Sequence, residues 1–211
     1  VYKRQNQDKP FLAYYPMNLP HSPFDPTPRS VNRSNKDGKQ NFIDMVAYMD
    51  HCVGRIEDTL IELGLRENTL MIFTADNGTS SSLTLDFFGT ERKGGKGYTH
   101  DHGTKVPLIV NLPGRIKAGQ VNKDLICFSD LFPTIVESAN LPAKKITQGD
   151  GWSFWPQCLG KAGKKRDWIY GYYFPRPYSQ KFDMMYNHWE VAWARNKQHK
   201  LYRDGRFFNV I

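Results

Sequence analysis

The longest regular hydrophobic pattern in the chain runs over residues 42–63, where Ile43, Val46, Ala47, Val53, Ile56, Leu60 and Leu63 recur at helical spacing. Gly64 follows at the place that suits a helix C-terminal cap. On either side the period changes. Phe11-Leu12-Ala13-Tyr14-Tyr15 is a short apolar and aromatic run that predicts a buried strand. Residues 70–73 predict a second, continuous apolar strand, bounded by Asn68 before it and Asp76-Asn77-Gly78 after it. Strand, loop, long helix and buried strand make a βαβ unit, which predicts a parallel sheet. Residues 106–112 (Val-Pro-Leu-Ile-Val-Asn-Leu) supply the next strand. Residues 130–139 predict another helix, with Asp130 near its start and Pro133 in its first turn.

Loops and a change of character complete the pattern. Five prolines between residues 16 and 28 (Pro16, Pro20, Pro23, Pro26, Pro28) forbid regular structure there, and this loop carries His21. Residues 32–40 are polar and read as a surface loop. After Pro142 the segments 168–174, 189–194 and 200–203 are short, aromatic-rich and partly alternating. They predict antiparallel strands of a smaller sheet, with Asp204-Gly205 as a hairpin turn. The expected fold class is α/β: a parallel-sheet core over residues 1–141 and a small C-terminal antiparallel β subdomain over 142–211.

Composition narrows the function classes. The chain has 211 residues, enough for one sizeable core, and 39% hydrophobic with 24% charged residues excludes wholesale disorder. No apolar run approaches the roughly 20 residues that span a bilayer, so no membrane span is expected. The balance of 29 Lys+Arg against 21 Asp+Glu gives +8, a surface that favours anionic partners. The basic residues thicken at Lys161-Ala162-Gly163-Lys164-Lys165-Arg166, which reads as a solvated face. No recognition helix, zinc-finger spacing or RNA-binding signature accompanies the charge, so nucleic acid is not an expected partner. The three cysteines (Cys52, Cys127, Cys158) lie far apart and give no disulfide framework; Cys52 and Cys127 read as buried structural thiols.

Candidate chemistry lies in four places. Asp76 and Asn77 follow the strand at residues 70–73, where open α/β sheets place ligand sites. A carboxylate beside an amide oxygen suits Ca²⁺, or less well Mg²⁺, while the competing reading is an Asn-Gly turn. Two ligands leave a calcium sphere of about six to eight oxygens incomplete. Lys96 stands in Gly94-Gly95-Lys96-Gly97, whose spacing is not that of a Walker loop. It would serve as a fixed positive charge for an oxyanion in a loop that lets backbone approach an anion; a flexible Gly/Lys loop is the alternative. His21, on its stiff loop, reads as a donor to substrate or as a surface residue. His100-Asp101-His102 is weak for zinc without a third ligand and reads as structural or supporting. Thr79-Ser80-Ser81-Ser82 has no neighbouring base, and nothing resembles a nucleophile elbow.

Taken in order, the segments resemble the sulfatase family of the alkaline-phosphatase-like superfamily. They are Phe11-Leu12-Ala13-Tyr14 with Pro20-His21-Ser22-Pro23, Tyr48-Met49-Asp50 through Val53-Gly54-Arg55-Ile56, and Phe73-Thr74-Ala75-Asp76-Asn77-Gly78. Gly94-Gly95-Lys96-Gly97, Asp101-His102-Gly103-Thr104-Lys105-Val106-Pro107, Asp150-Gly151-Trp152-Ser153-Phe154 and Lys200-Leu201-Tyr202-Arg203-Asp204-Gly205-Arg206 continue it. The resemblance implies a calcium site using Asp76 and Asn77, and Lys96 and His21 as catalytic residues contacting a sulfate group. It implies a sulfated small molecule or glycan as partner and a periplasmic or extracellular parent enzyme. The family's nucleophile is a formylglycine hydrate made from a Cys/Ser-x-Pro-x-Arg motif.

The chain departs from the family at that motif. Cys52 is followed by Val-Gly-Arg, Cys127 by Phe-Ser-Asp and Cys158 by Leu-Gly-Lys, and no Ser-x-Pro-x-Arg occurs. The acidic pair that completes the calcium site is also absent, and Lys105 stands where many relatives carry Arg or His. The expectation is therefore the C-terminal portion of an arylsulfatase-type enzyme, incomplete at its N-terminus and inactive alone. An incomplete sheet predicts an exposed apolar face and poor solubility. The alternatives are a phosphodiesterase or phosphonate hydrolase of the same superfamily, and a non-catalytic anion- or glycan-binding module.

Overall fold

A computed structural model describes residue 5 and residues 8–142, 149–174 and 191–211. It divides into two compact units, Val1–Gly114 and Arg115–Ile211. In the first, helix α1 spans Gly38–Glu62. Its start is fixed by Asp37, whose carboxylate accepts from the Lys39 N–H at 2.9 Å. Its end is fixed by Gly64, in the left-handed region at φ 66°, as the pattern predicts.

The buried face of α1 follows the expected apolar stripe at Leu60 but departs from it in the first turns. Asn41, Phe42, Met45 and Leu60 are buried, while Ile43 and Val46 are exposed. The reason is the proline-rich loop, which packs on the other flank. Phe24 meets Phe42 edge-on at 5.5 Å, and the Asn41 amide donates to the carbonyls of Phe24 (2.9 Å) and Asn35 (3.2 Å). A buried amide with its hydrogen bonds satisfied holds an irregular loop where no ladder is available.

Strand β1 (Met71–Thr74) pairs with β4 (Leu108–Asn111) in antiparallel register, Met71 opposite Asn111 and Thr74 opposite Leu108. Every ladder among the described residues is antiparallel, so the parallel pairing expected of that strand is not among them. Residues 11–15 form no strand, and Leu12, Tyr14 and Tyr15 are exposed. Without a neighbour to take its N–H and C=O groups, an extended segment makes no ladder. Buried Arg66 ties α1 to this sheet, donating to Glu57 at 2.9 Å, to the Thr69 carbonyl at 3.2 Å and to the Asn111 side chain. Between β1 and β4 lie a hairpin, β2 (Thr84–Phe87) with β3 (Thr90–Lys93), and the short helix α2 (Asp101–Thr104).

The second unit holds helices α3 (Leu131–Ser138) and α4 (Trp155–Cys158) and a four-stranded sheet. Its strands are β5 (Ile169–Tyr173), β6 (Val191–Arg195), β7 (His199–Tyr202) and β8 (Phe207–Asn209), antiparallel in sequence order. One face buries Trp193, Lys200 and Tyr202, and Gly205 turns the β7–β8 hairpin as expected. Trp189, expected to open a strand, lies outside the described residues.

Arg166 corrects the reading of residues 161–166 as a solvated face. Its guanidinium donates to both carboxylate oxygens of buried Asp130, at 2.5 to 3.1 Å, and to the Asp150 carbonyl at 2.5 Å. Asp130 also accepts from the N–H groups of Cys127 (2.8 Å) and Trp152 (2.7 Å). Cys52 and Cys127 are half-buried rather than buried. Burial pushes the Cys158 thiol from 9.0 up to about 11. A raised pKa means less thiolate, so near pH 8.5 Cys158 is expected to alkylate with iodoacetamide roughly fiftyfold more slowly than an unperturbed thiol. Peptide mapping of a time course checks this; equal rates would show that the thiol is not desolvated.

Candidate functional site

Strand β1 delivers Asp76 and Asn77 to its carboxyl end. Asp76 is exposed and Asn77 half-buried. The Asn77 amide nitrogen donates to the Gly78 carbonyl at 3.0 Å, which orients the side-chain oxygen as the atom left to accept a cation. Asp76 and Asn77 together offer hard oxygen donors, the chemistry that Ca²⁺ or Mg²⁺ takes. Among the described residues no group of three or more His, Cys, Asp and Glu side chains is placed to hold a metal ion. The pair therefore fits part of a cation site.

Backbone hydrogen bonds bring Lys96 to this strand end across twenty residues of chain. The Lys96 N–H donates to the Thr79 carbonyl at 2.9 Å, and the Gly94 N–H to the Leu83 carbonyl at 2.9 Å. The Gly78 N–H donates to the Gly103 carbonyl at 3.0 Å, which draws in helix α2. Three segments are thus knotted through main chain alone. Lys96 is half-buried in this knot.

The glycines make such contact possible. A Cβ on Gly78 would lie 1.8 Å from the His102 carbonyl oxygen, and one on Gly103 would lie 2.2 Å from that of Tyr98. Gly95 is equally tight, with a Cβ there 2.6 Å from the Gly103 nitrogen. This revises the expectation for the loop: at Gly94 and Gly95 the missing side chains admit neighbouring backbone, not an anion. Gly103→Ala is expected to lower stability by about 3 kcal/mol or more, because backbone atoms on both sides must move. Chemical denaturation measures this, and a loss below about 1 kcal/mol would mean the knot is loose.

His21 lies on the proline-rich loop before α1. Its Nδ1 lies 2.7 Å from the Ser22 carbonyl oxygen and its backbone N–H donates to the Asn18 carbonyl at 2.7 Å. A carbonyl only accepts, so Nδ1 carries the proton and Nε2 of the neutral ring is an acceptor. His21 lines a groove of about 500 Å³ with other residues of the proline-rich loop, Met45 and Tyr48. None of residues 76–104 lines that groove, while the Lys96 backbone is hydrogen-bonded to Thr79, two residues beyond Asn77. His102 supports the knot, with Nδ1 3.0 Å from the Lys93 carbonyl oxygen, and His100 stacks on Tyr98 at 5.4 Å. That agrees with a supporting role for the His-x-His pair.

Known proteins resemble this chain along most of its length. The family model described as Sulfatase matches residues 1–141, and one described as N-sulphoglucosamine sulphohydrolase, C-terminal, matches residues 92–211. The chain belongs to the sulfatase family. Arylsulfatase A of Homo sapiens is 34% identical to this sulfatase chain over 170 residues, covering 80% of the chain and 32% of that protein. A sulfatase of Escherichia coli is 32% identical over 180 residues, covering 82% of the chain and 32% of its own length. The solved structure of Ps i-CgsB overlays with a TM-score of 0.72 at 26% identity, over 92% of this chain and 42% of that one. The fold is therefore of the alkaline-phosphatase-like α/β type, and the sulfatase chain spans about a third of the length of the curated relatives it matches.

Proposed function

We propose that this chain is the part of a sulfate ester hydrolase that supplies Asp76 and Asn77 to a calcium site and Lys96 to the sulfate. What supports the reading most is the backbone knot: Lys96 is hydrogen-bonded to Thr79, two residues beyond Asn77, although the sequence separates them widely. A cation pair of ligands and a half-buried ammonium on one strand end suit an oxyanion with charge spread over several oxygens. A bound calcium ion would supply Lewis-acid stabilisation of that charge.

The chain's own residues then bind and orient. Lys96 donates hydrogen bonds to sulfate oxygens, and its backbone anchor limits the entropy lost when the ester docks. His21, with Nδ1 held by the Ser22 carbonyl, donates through Nε2 to the ester only as the imidazolium. The nucleophile, a formylglycine hydrate, is proposed to lie outside these 211 residues, since no Cys/Ser-x-Pro-x-Arg motif occurs in them. On the same reading, residues 1–141 belong to a parallel-sheet α/β domain and 142–211 to an antiparallel subdomain. The substrate is a carbohydrate or aryl sulfate ester, and the enzyme works in the periplasm or outside the cell.

The whole gene product is expected to release sulfate from 4-nitrophenyl sulfate, to stop in EDTA and to recover on adding Ca²⁺. Bis(4-nitrophenyl) phosphate should turn over at least about a hundredfold more slowly. The reverse preference would make the protein a phosphodiesterase of the same superfamily.

A further inference from the structure

The hairpin β2–β3 stands directly before the Lys96 loop and is built unlike a structural hairpin. Both strands are almost wholly exposed, so burial does not account for their residues. Its two-residue turn places Phe88 at φ 52° and Gly89 at φ 79°. Turns of this hand favour Asn, Asp or Gly at the first position, and a bulky residue there is strained. The Asp86 carboxylate holds the turn closed by accepting from the Gly89 N–H at 3.1 Å. The strain brings no core contact, because Phe88 is 92% exposed. Phe87 is exposed beside it, with ring centroids 4.8 Å apart and planes at 76°.

Cations follow the aromatics along the same hairpin. The Arg92 guanidinium lies 5.8 Å from the Phe87 ring centroid. Arg92 and Lys93 line a groove of about 350 Å³ with Tyr98, His100 and His102. Glu91 also faces the groove, leaving two fixed positive charges against one negative, beside two imidazoles. Gly94 also lines the groove, and Lys96 follows two residues later in the chain.

We propose that this hairpin is a docking arm for a polyanionic oligosaccharide. Exposed aromatic rings give a sugar ring an apolar face to stack on, and the Arg92/Lys93 groove takes a second sulfate or carboxylate of the same chain. An ester with a single anionic group is held at the Lys96 site and gains nothing from the arm. The inference rests on the sulfatase reading above, and it narrows that reading to substrates carrying more than one anionic group.

The test uses the whole gene product and two probes, a heparin-derived hexasaccharide and 4-nitrophenyl sulfate. R92Q/K93Q is expected to weaken calorimetric binding of the hexasaccharide about tenfold and to leave turnover of 4-nitrophenyl sulfate unchanged. Phe88→Gly relieves the backbone strain, so it should melt no lower than the parent while binding the hexasaccharide severalfold more weakly. Unaltered hexasaccharide affinity in both variants overturns the docking arm, even where 4-nitrophenyl sulfate is hydrolysed. Weakened binding in a protein that hydrolyses no sulfate ester supports the arm and overturns the sulfatase reading instead.

Discussion

Lys96→Ala is expected to reduce sulfate ester turnover by about a hundredfold to a thousandfold, with a smaller change in KM. That range is what one preorganised donor to a developing oxyanion supplies, about 2.7 to 4 kcal/mol. The argument is positional. The Lys96 backbone is hydrogen-bonded to Thr79 and the flanking glycines are packed against residues 79–80 and 100–103. The ammonium therefore starts from a fixed base rather than from a mobile loop. Lys96→Arg keeps the charge but lengthens and flattens the donor, so it should recover only part of the rate. Turnover of Lys96→Ala within about threefold of the parent would remove the lysine from the oxyanion site.

Asp130→Ala should be the most destabilising single change in the second unit, at about 3 to 5 kcal/mol. The carboxylate accepts from Arg166 and from two backbone N–H groups while only 1% exposed. Removing it leaves a guanidinium, with a side chain only 14% exposed, beside unpaired amides. Both costs fall on the folded state. Asp130→Asn retains acceptor capacity on one oxygen and is expected to cost less. Urea denaturation of both variants checks the order, and a loss under about 1 kcal/mol for Asp130→Ala would mean that water replaces the carboxylate.

Local signals in the sequence proved readable where local physics decides. The apolar run before Asp76-Asn77-Gly78 is β1, Gly64 ends α1, and Asp204-Gly205 turns a hairpin. Pairing over distance was not readable. The Asp130–Arg166 contact spans 36 residues, and neither partner's neighbours hint at the other. The hairpin at Thr84–Lys93 escaped notice because both its faces are exposed, so no alternation marks it. Its one local signal was Phe88-Gly89, a weaker turn pair than Asn-Gly. The antiparallel partner of β1 was missed because an apolar run of four residues carries no direction. For the candidate site, the sequence singles out Asp76, Asn77 and Lys96, but not the backbone hydrogen bond that ties Lys96 to Thr79 beside that pair. That glycines serve backbone contact rather than anion approach needed coordinates.

The central claim is that Asp76 belongs to a cation site serving the same reaction as Lys96. The most direct measurement is the calcium dependence of sulfate release from 4-nitrophenyl sulfate by the whole gene product and its Asp76→Ala variant. The parent should saturate with added Ca²⁺ after chelation. The variant should need at least about tenfold more, or stay inactive at any concentration. Identical calcium curves for the two proteins would contradict the account.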